Sequence, residues 1–140
     1  MTRINASIKV EELCNSMLFA EYREIKRIPN KLKEGRYNLN NPIPKNFTLN
    51  TGHETFFRDK ILYLKKRNDA LYQECLKRGM NIQDYSDCYQ NIPPEFFNDW
   101  EETPVSRLLL KERINKRLTE TTSTIRFYNK VVSLEEALIK

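Results

Sequence analysis

The sequence has few of the residues from which metal sites and catalytic triads are built. It holds three cysteines, Cys14, Cys75 and Cys88, and one histidine, His53, among 140 residues. An odd number of cysteines without Cys-x-x-Cys spacing argues against a disulfide framework or a zinc site. A single histidine likewise argues against a histidine-based metal centre or triad. We therefore expect no metal site, and we interpret Cys14 and Cys75 as buried thiols rather than catalytic ones.

Long apolar runs are also missing. None approaches the roughly 20 residues that a membrane helix needs, and no basic stretch followed by an apolar core marks a secretory signal. We expect a soluble protein that works in the cytoplasm of the cell that makes it. Its 24 lysines and arginines against 19 acidic residues give a net charge of +5. That excess favours a polyanionic partner without establishing one.

Apolar periodicity predicts a mostly α protein, a compact single domain of three main helices with long irregular loops. The length of 140 residues fits one domain with one core. Sustained strand alternation is not found, and the tail 125–140 has no clear pattern. The three helices are predicted over 10–28, 53–78 and 104–118.

Capping and breaking residues set the ends of these helices. Pro29 should end or kink the first helix, because proline has no amide to donate. Gly79 suits the position after the second helix, and Pro104 suits the first position of the third. Ser133 and Glu136 have the spacing of a capping box, which predicts a short helix in the tail.

Two of the predicted helices carry an excess of cations, which indicates either solvated faces or a surface that follows phosphates. The second helix has Lys60, Lys65, Lys66, Arg67, Lys77 and Arg78, and the third has Arg107, Lys111, Arg113, Lys116 and Arg117.

Aromatic and basic residues also alternate near the C-terminus, where Phe127 and Tyr128 lie beside Arg126 and Lys130. Stacking and positive charge together suit nucleic acid. The same composition is found in an ordinary packed tail.

The N-terminus offers a nucleophile. Thr2 is small, so we expect removal of Met1 and a free α-amine on Thr2. An α-amine has a pKa near ~8, so part of it is unprotonated at neutral pH and can attack a sugar carbon to form an imine. A carboxylate such as Glu24 could stabilise positive charge and move protons beside it. Spacing alone equally allows a salt bridge from Glu24 to Arg27.

Several short segments of this chain match those of a known family, in the same order along the sequence. It resembles the phage-type pyrimidine-dimer DNA glycosylases, the small ultraviolet endonucleases also called endonuclease V of that phage type. The resemblance is carried by residues 1–5, 20–24 with Arg27, 52–57, 59–60, 66–67, 74–79 and 94–96, which are collinear over roughly 1–98.

The resemblance implies a helical domain with the N-terminal segment threaded between three helices. It implies excision at cyclobutane pyrimidine dimers followed by β-elimination of the DNA strand. In that chemistry the Thr2 α-amine attacks the sugar C1′, and Glu24 stabilises the cationic intermediate and assists proton transfer. Arg3, Arg23 and Arg27 would hold phosphates and the lesion around a flipped nucleotide.

Further consequences of the resemblance concern partners. It implies double-stranded damaged DNA as substrate, no metal or organic cofactor, a monomer, and a viral source, which would place the protein in the host cytoplasm or nucleoid. Additional candidate DNA-binding residues are Lys66, Arg117, Arg126 and Tyr128.

The sequence departs from the family pattern in three places. Met17 replaces a frequent histidine, Lys26 replaces a usual proline, and Thr124–Lys130 lacks the leading Trp-Tyr pair of a segment linked to lesion recognition. Two alternatives therefore stand beside the main hypothesis. One is the same imine chemistry on another damaged or modified base, and the other is a non-catalytic DNA-binding protein.

Overall fold

The computed structural model describes residues 2–140, and its regular secondary structure is mostly helical, as the periodicity predicts. Single 3-10 turns form at Val10–Glu12, Ser86–Tyr89 and Pro94–Phe96. The other elements, in chain order, are α1 (Asn15–Ile25), α2 (Arg27–Lys33), α3 (His53–Phe56), α4 (Ile61–Lys77), α5 (Pro104–Glu120), β1 (Ile125–Phe127), β2 (Lys130–Val132) and α6 (Leu134–Ala137).

The first predicted helix is divided in the structure. α1 starts only at Asn15, and a break at Lys26 separates it from α2. The predicted interruption at Pro29 is present, since α1 ends at Ile25, whose carbonyl the missing amide of Pro29 would face in a continuous helix. Pro29 itself lies in the first turn of α2, where its missing amide removes no hydrogen bond within that helix. The prediction of one helix over 10–28 is therefore wrong, and the irregular segment starts after Lys33.

The second predicted helix, 53–78, likewise contains two helices, α3 and α4, separated by a short turn. α4 ends as predicted, since Gly79 has a left-handed φ of +78°. The amides of Gly79 and Met80 donate to the carbonyls of Leu76 and Cys75, each over 3.0 Å. These two bonds satisfy carbonyls that the helix end would otherwise leave without partners.

α5 confirms the predicted start at Pro104 and continues to Glu120. The Thr103 hydroxyl accepts the amide of Ser106 over 3.1 Å, and the Ser106 hydroxyl accepts the amide of Thr103 over 3.2 Å. This reciprocal cap satisfies two amides at the helix start.

The tail folds into the antiparallel hairpin β1–β2 followed by α6. The hairpin is too short for the sequence pattern to reveal, whereas the predicted Ser133–Glu136 capping box is present at α6. The Asn15 side chain donates to the carbonyl of Tyr128 over 2.7 Å and accepts its amide over 3.0 Å. The turn of the hairpin is thus attached to the start of α1.

The core lies between the N-terminal segment and the three longest helices. Burying these apolar side chains supplies the main driving force for folding. Fully buried members include Ile4 and Ile8 of the N-terminal segment, Leu18 and Tyr22 of α1, Leu64 and Leu71 of α4, and Leu110 of α5.

Two of the cations counted on the second predicted helix are not part of a solvated face. Arg67 is 8% exposed and pairs with Glu21, with Nε–Oε2 at 2.8 Å and Nη2–Oε1 at 3.0 Å. Arg78 is also 8% exposed and pairs with Glu74 over 2.8 Å. A phosphate-binding face on α4 would therefore lack both guanidinium groups.

The cysteines agree with their interpretation as core residues. Cys14 and Cys75 are buried free thiols, and burial raises the pKa of the Cys75 thiol to about 11. A thiol held protonated is a poor nucleophile. Among residues 2–140, none of the helices combines the length and the apolar character that crossing a membrane requires.

Candidate active site

The N-terminal segment runs between the three longest helices, and each of them holds it. From α4, the Tyr63 hydroxyl donates to the carbonyl of Ala6 over 2.8 Å, and Arg67 Nη1 donates to that of Ile8 over 2.6 Å. From α5, the Ser106 hydroxyl lies 2.5 Å from that of Ser7. These bonds fix the register of the segment against the helices.

The contacts to α1 and to α3 lie nearest the start of the chain. The amide of Arg3 donates to Oε1 of Glu24 over 3.0 Å, and the amide of Ile4 donates to Nε2 of His53 over 2.9 Å. Thr2 directly precedes these two amides, and in the chain that includes Met1 it is 4% exposed. Met1 lies outside the described residues. Thr2 and Glu24, separated by 22 positions, are therefore neighbours in space.

A cavity of about 390 Å³ opens beside this contact. Glu24, Arg3 and Asn5 line it from one side, and Arg113 and Arg117 line it from α5. Apart from the carboxylates of Glu21 and Glu120, its remaining wall is largely apolar or hydroxylic. Residues there include Met17 and Ala20 of α1, Ile114 and Leu118 of α5, and Thr124 and Ile125 at the start of the hairpin.

The two carboxylates of α1 have different partners. Glu21 is 1% exposed, and both its oxygens accept from Arg67 while Oε1 also accepts from the Asn5 side chain over 3.1 Å. Glu24 is only partly buried and lines the cavity. Glu21, which also lines the cavity, therefore serves as the counter-ion of a buried guanidinium, and Glu24 is the carboxylate beside the start of the chain that is available for proton chemistry.

The cavity lining brings together three guanidinium groups, those of Arg3, Arg113 and Arg117, and three carboxylates, those of Glu21, Glu24 and Glu120. Burial and the neighbouring charges of Arg117 and Arg3 lower the pKa of Arg113 to about 10. Burial and the charge of Arg3 also lower the pKa of Arg117. Like charges held together in this way favour binding of an anion that offsets their repulsion.

Arg23 and Arg27 lie on the exposed side of α1 and α2. The Arg23 guanidinium is 5.5 Å from the centre of the Phe19 ring, one turn earlier on α1. Both arginines are accessible to a polyanion that would approach this side of the molecule.

Three other candidates lie away from the cavity lining. Lys66 lines a separate depression, where its Nζ is 2.6 Å from Oδ2 of Asp99. Arg126 is exposed on β1. The Tyr128 ring lies 5.2 Å from the guanidinium of Arg78.

Sequence reasoning missed Arg113 as a site residue. It is four positions before Arg117 on α5, and such residues share a helix face, so that spacing was the signal that could have identified it. Asn5, which donates to Glu21 and lines the cavity, had no comparable signal. Within residues 2–140, no group of three or more histidine, cysteine or acidic side chains could hold a metal ion.

A comparison with protein families identifies one match. A family model described as pyrimidine dimer DNA glycosylase matches residues 1–86. The matched part includes the N-terminal segment, α1, α3 and α4, and hence Arg3, Glu24 and His53. It does not include α5, so Arg113 and Arg117 lie beyond it.

Proposed function

The chain belongs to the pyrimidine dimer DNA glycosylase family, and we propose that it excises at ultraviolet-induced cyclobutane pyrimidine dimers and then acts as an abasic-site lyase through an imine. The substrate is damaged double-stranded DNA, and the working form is a monomer that acts on DNA in the cytoplasm or nucleoid of a host cell. The observation that carries the proposal is the hydrogen bond from the amide of Arg3 to Glu24 at the edge of the cavity.

The first chemical step uses the α-amine of Thr2 after Met1 has been removed. Its lone pair attacks C1′ of the damaged nucleotide, and the C1′–base bond breaks with its electron pair leaving on the base. The nitrogen then loses one proton and the departing base takes one up; the C1′–O4′ bond opens as O4′ gains a proton, which leaves a protonated imine between Thr2 and C1′. Because the positive charge of this species develops next to Glu24, the carboxylate stabilises it electrostatically.

The second step cleaves the strand. Loss of a proton from C2′ of the imine supplies the electron pair that expels the 3′ phosphate by β-elimination. Glu24 is assigned to proton transfer because, of the three carboxylates that line the cavity, it is the one that accepts the Arg3 amide next to Thr2, whereas Glu21 is bound to Arg67. A general acid–base group of this kind contributes about 10²–10⁴-fold in rate.

The arginines are assigned to the DNA backbone. Arg3, Arg113 and Arg117 line the cavity, and phosphate oxygens would offset the burial and the like-charge repulsion that lower the pKa values of Arg113 and Arg117. Arg23 and Arg27 extend the basic surface along α1 and α2. Lys66, Arg126 and Tyr128 are proposed as outer contacts, since they do not line the cavity.

A second candidate function is the same imine chemistry on another damaged base. It is favoured by the composition of the cavity wall formed by the tail, where Thr124 and Ile125 offer no large aromatic surface. The aromatic side chain of the hairpin turn, Tyr128, has its ring beside Arg78 and donates to Glu74 over 3.3 Å. Retention of Met1 on the mature chain would support a non-catalytic DNA-binding role, because the α-amine would then lie one residue out of place.

Three defined duplexes separate these functions. The purified protein is incubated without metal ions, and with a chelator, on a duplex with one cyclobutane dimer, on one with one abasic site, and on an undamaged one. We expect cleavage of the first two only. Cleavage of the abasic duplex alone would favour the second candidate, and cleavage of neither would contradict lyase activity altogether.

A further inference from the structure

His53 is a buried histidine at the start of α3 to which the proposed chemistry gives no role. It is 2% exposed and follows Gly52, whose φ of +90° turns the chain into the helix. Its ring is in edge contact with Phe47 and Phe57, with ring centres 5.5 Å apart in both pairs. Packing of this kind fixes the orientation of the imidazole.

The hydrogen bonds of the ring define its protonation. Nε2 faces the amide of Ile4, which can only donate, and Nδ1 lies 2.9 Å from the carbonyl of Thr48, which can only accept. The ring must therefore be neutral, with its proton on Nδ1. Burial also lowers the pKa of His53 below its ordinary value of 6.5, in agreement with that state.

Two consecutive amides of the N-terminal segment are thus bound to two different elements. The Arg3 amide donates to Glu24 on α1, and the Ile4 amide donates to His53 on α3. Amides of adjacent residues in an extended chain point in opposite directions, so these bonds hold the segment from two sides and prevent it from rotating about its own axis. The nitrogen of Thr2 lies one peptide unit before the first of these amides.

We propose that His53 is a positioning residue that directs the α-amine of Thr2 toward the sugar, by accepting the amide of Ile4 while Glu24 accepts that of Arg3. This inference rests on the proposed function, since it concerns the same nucleophile. The distinct alternative is that His53 only stabilises the fold, in which case its loss would affect binding and chemistry equally.

Two substitutions separate these roles. His53→Phe keeps a ring against Phe47 and Phe57 but leaves the Ile4 amide without an acceptor. His53→Gln keeps a side-chain oxygen that can accept that amide. Each variant is measured for its single-turnover rate of borohydride-trapped adduct on abasic DNA, and for its Kd on a duplex that contains tetrahydrofuran, an abasic analogue that forms no imine.

We expect His53→Phe to bind the tetrahydrofuran duplex as the parent does but to form adduct about 100-fold more slowly, the size of effect that misplacement of a reacting group by an ångström can produce. His53→Gln should recover most of the rate. An unchanged rate in His53→Phe would overturn the inference. So would a loss of analogue binding as large as the loss of rate.

The glutamine variant keeps the inference testable if the phenylalanine variant does not fold. As the pH falls through the pKa of His53, which burial lowers below 6.5, the parent gains a proton on the ring and loses the acceptor, so its adduct rate should fall more steeply than that of His53→Gln. The charged groups facing His53, namely Glu21, Glu54 and Arg113, are the same in both proteins. Identical acid profiles would contradict the positioning role, whereas a parent that forms no adduct at any pH would instead contradict the proposed function.

Discussion

The backbone amide of Arg3 lies 3.0 Å from Oε1 of Glu24, so the second peptide unit of the chain is bound to a carboxylate that lines the cavity. The N-terminal segment and α1 are distant in sequence, and this contact places the start of the chain next to the Glu24 carboxylate. That arrangement is suited to amine chemistry. The predictions below follow from this contact, from the charges around it and from the buried groups that support it.

Glu24→Gln should separate binding from chemistry. The amide side chain keeps an oxygen for the Arg3 amide but removes the negative charge that stabilises the imine. We expect the adduct rate on abasic DNA to fall by about 100-fold or more, with little change in Kd for the tetrahydrofuran duplex. Glu112→Gln, which makes the same charge change on an exposed turn of α5, is the control, and equal rates for the two variants would contradict the role of Glu24.

Arg27→Ala should weaken DNA binding and reduce its dependence on salt. Each phosphate contact contributes about 0.9 to the slope of log Kobs against log salt concentration, so removal of one contact should lower the slope by about that amount. The slope is measured by fluorescence anisotropy over a salt series. Arg36→Ala removes an exposed guanidinium that pairs with Glu34, and we expect its slope to equal that of the parent. A parental slope for Arg27→Ala would place Arg27 away from phosphate.

Arg67→Met should destabilise the fold, because it leaves the buried carboxylate of Glu21 without its counter-ion. We expect the free energy of unfolding to fall by about 3–5 kcal/mol, measured by urea denaturation. The adjacent Lys66→Met breaks an exposed ion pair to Asp99 and should cost about 1 kcal/mol or less. Similar costs for both variants would show that the Glu21–Arg67 pair contributes no more than a surface pair.

His53 should make stability depend on pH. Burial lowers its pKa in the folded state below 6.5, so between that lowered pKa and 6.5 the unfolded chain binds more protons than the folded one. The free energy of unfolding therefore falls as the pH is lowered through this window. In His53→Gln this decrease in the free energy of unfolding should be smaller, because glutamine has no imidazole that takes up a proton on unfolding. Parallel curves for the two proteins, from urea denaturation at several pH values, would contradict the lowered pKa.

The sequence carries enough information for the helical class and for several helix ends. Gly79, Pro104 and the Ser133–Glu136 capping box act through local backbone chemistry, so their effects can be read from neighbouring residues. Pro29 acts in the same way, since α1 ends four residues before it, but the sequence pattern did not show that a second helix, α2, begins at Arg27 and holds Pro29 in its first turn.

Long-range pairing was beyond the sequence pattern. From the sequence, Arg67 is counted as a surface cation, because the pattern of one helix does not show which side chains of another helix lie opposite it. The structure shows that Glu21 of α1 is that partner. For the same reason the sequence did not predict the contact of His53 with an amide 49 positions earlier in the chain. Thr2 and Glu24 could be brought together in advance only through the family resemblance.

The central claim is that the nitrogen of Thr2 is the nucleophile, and peptide mapping of the trapped adduct tests it most directly. The protein is incubated with abasic duplex and borohydride, digested with protease and nuclease, and analysed by mass spectrometry. We expect Met1 to be absent and the sugar remnant to lie on the α-amine of Thr2. A remnant on a lysine side chain, or an adduct from protein that retains Met1, would contradict it.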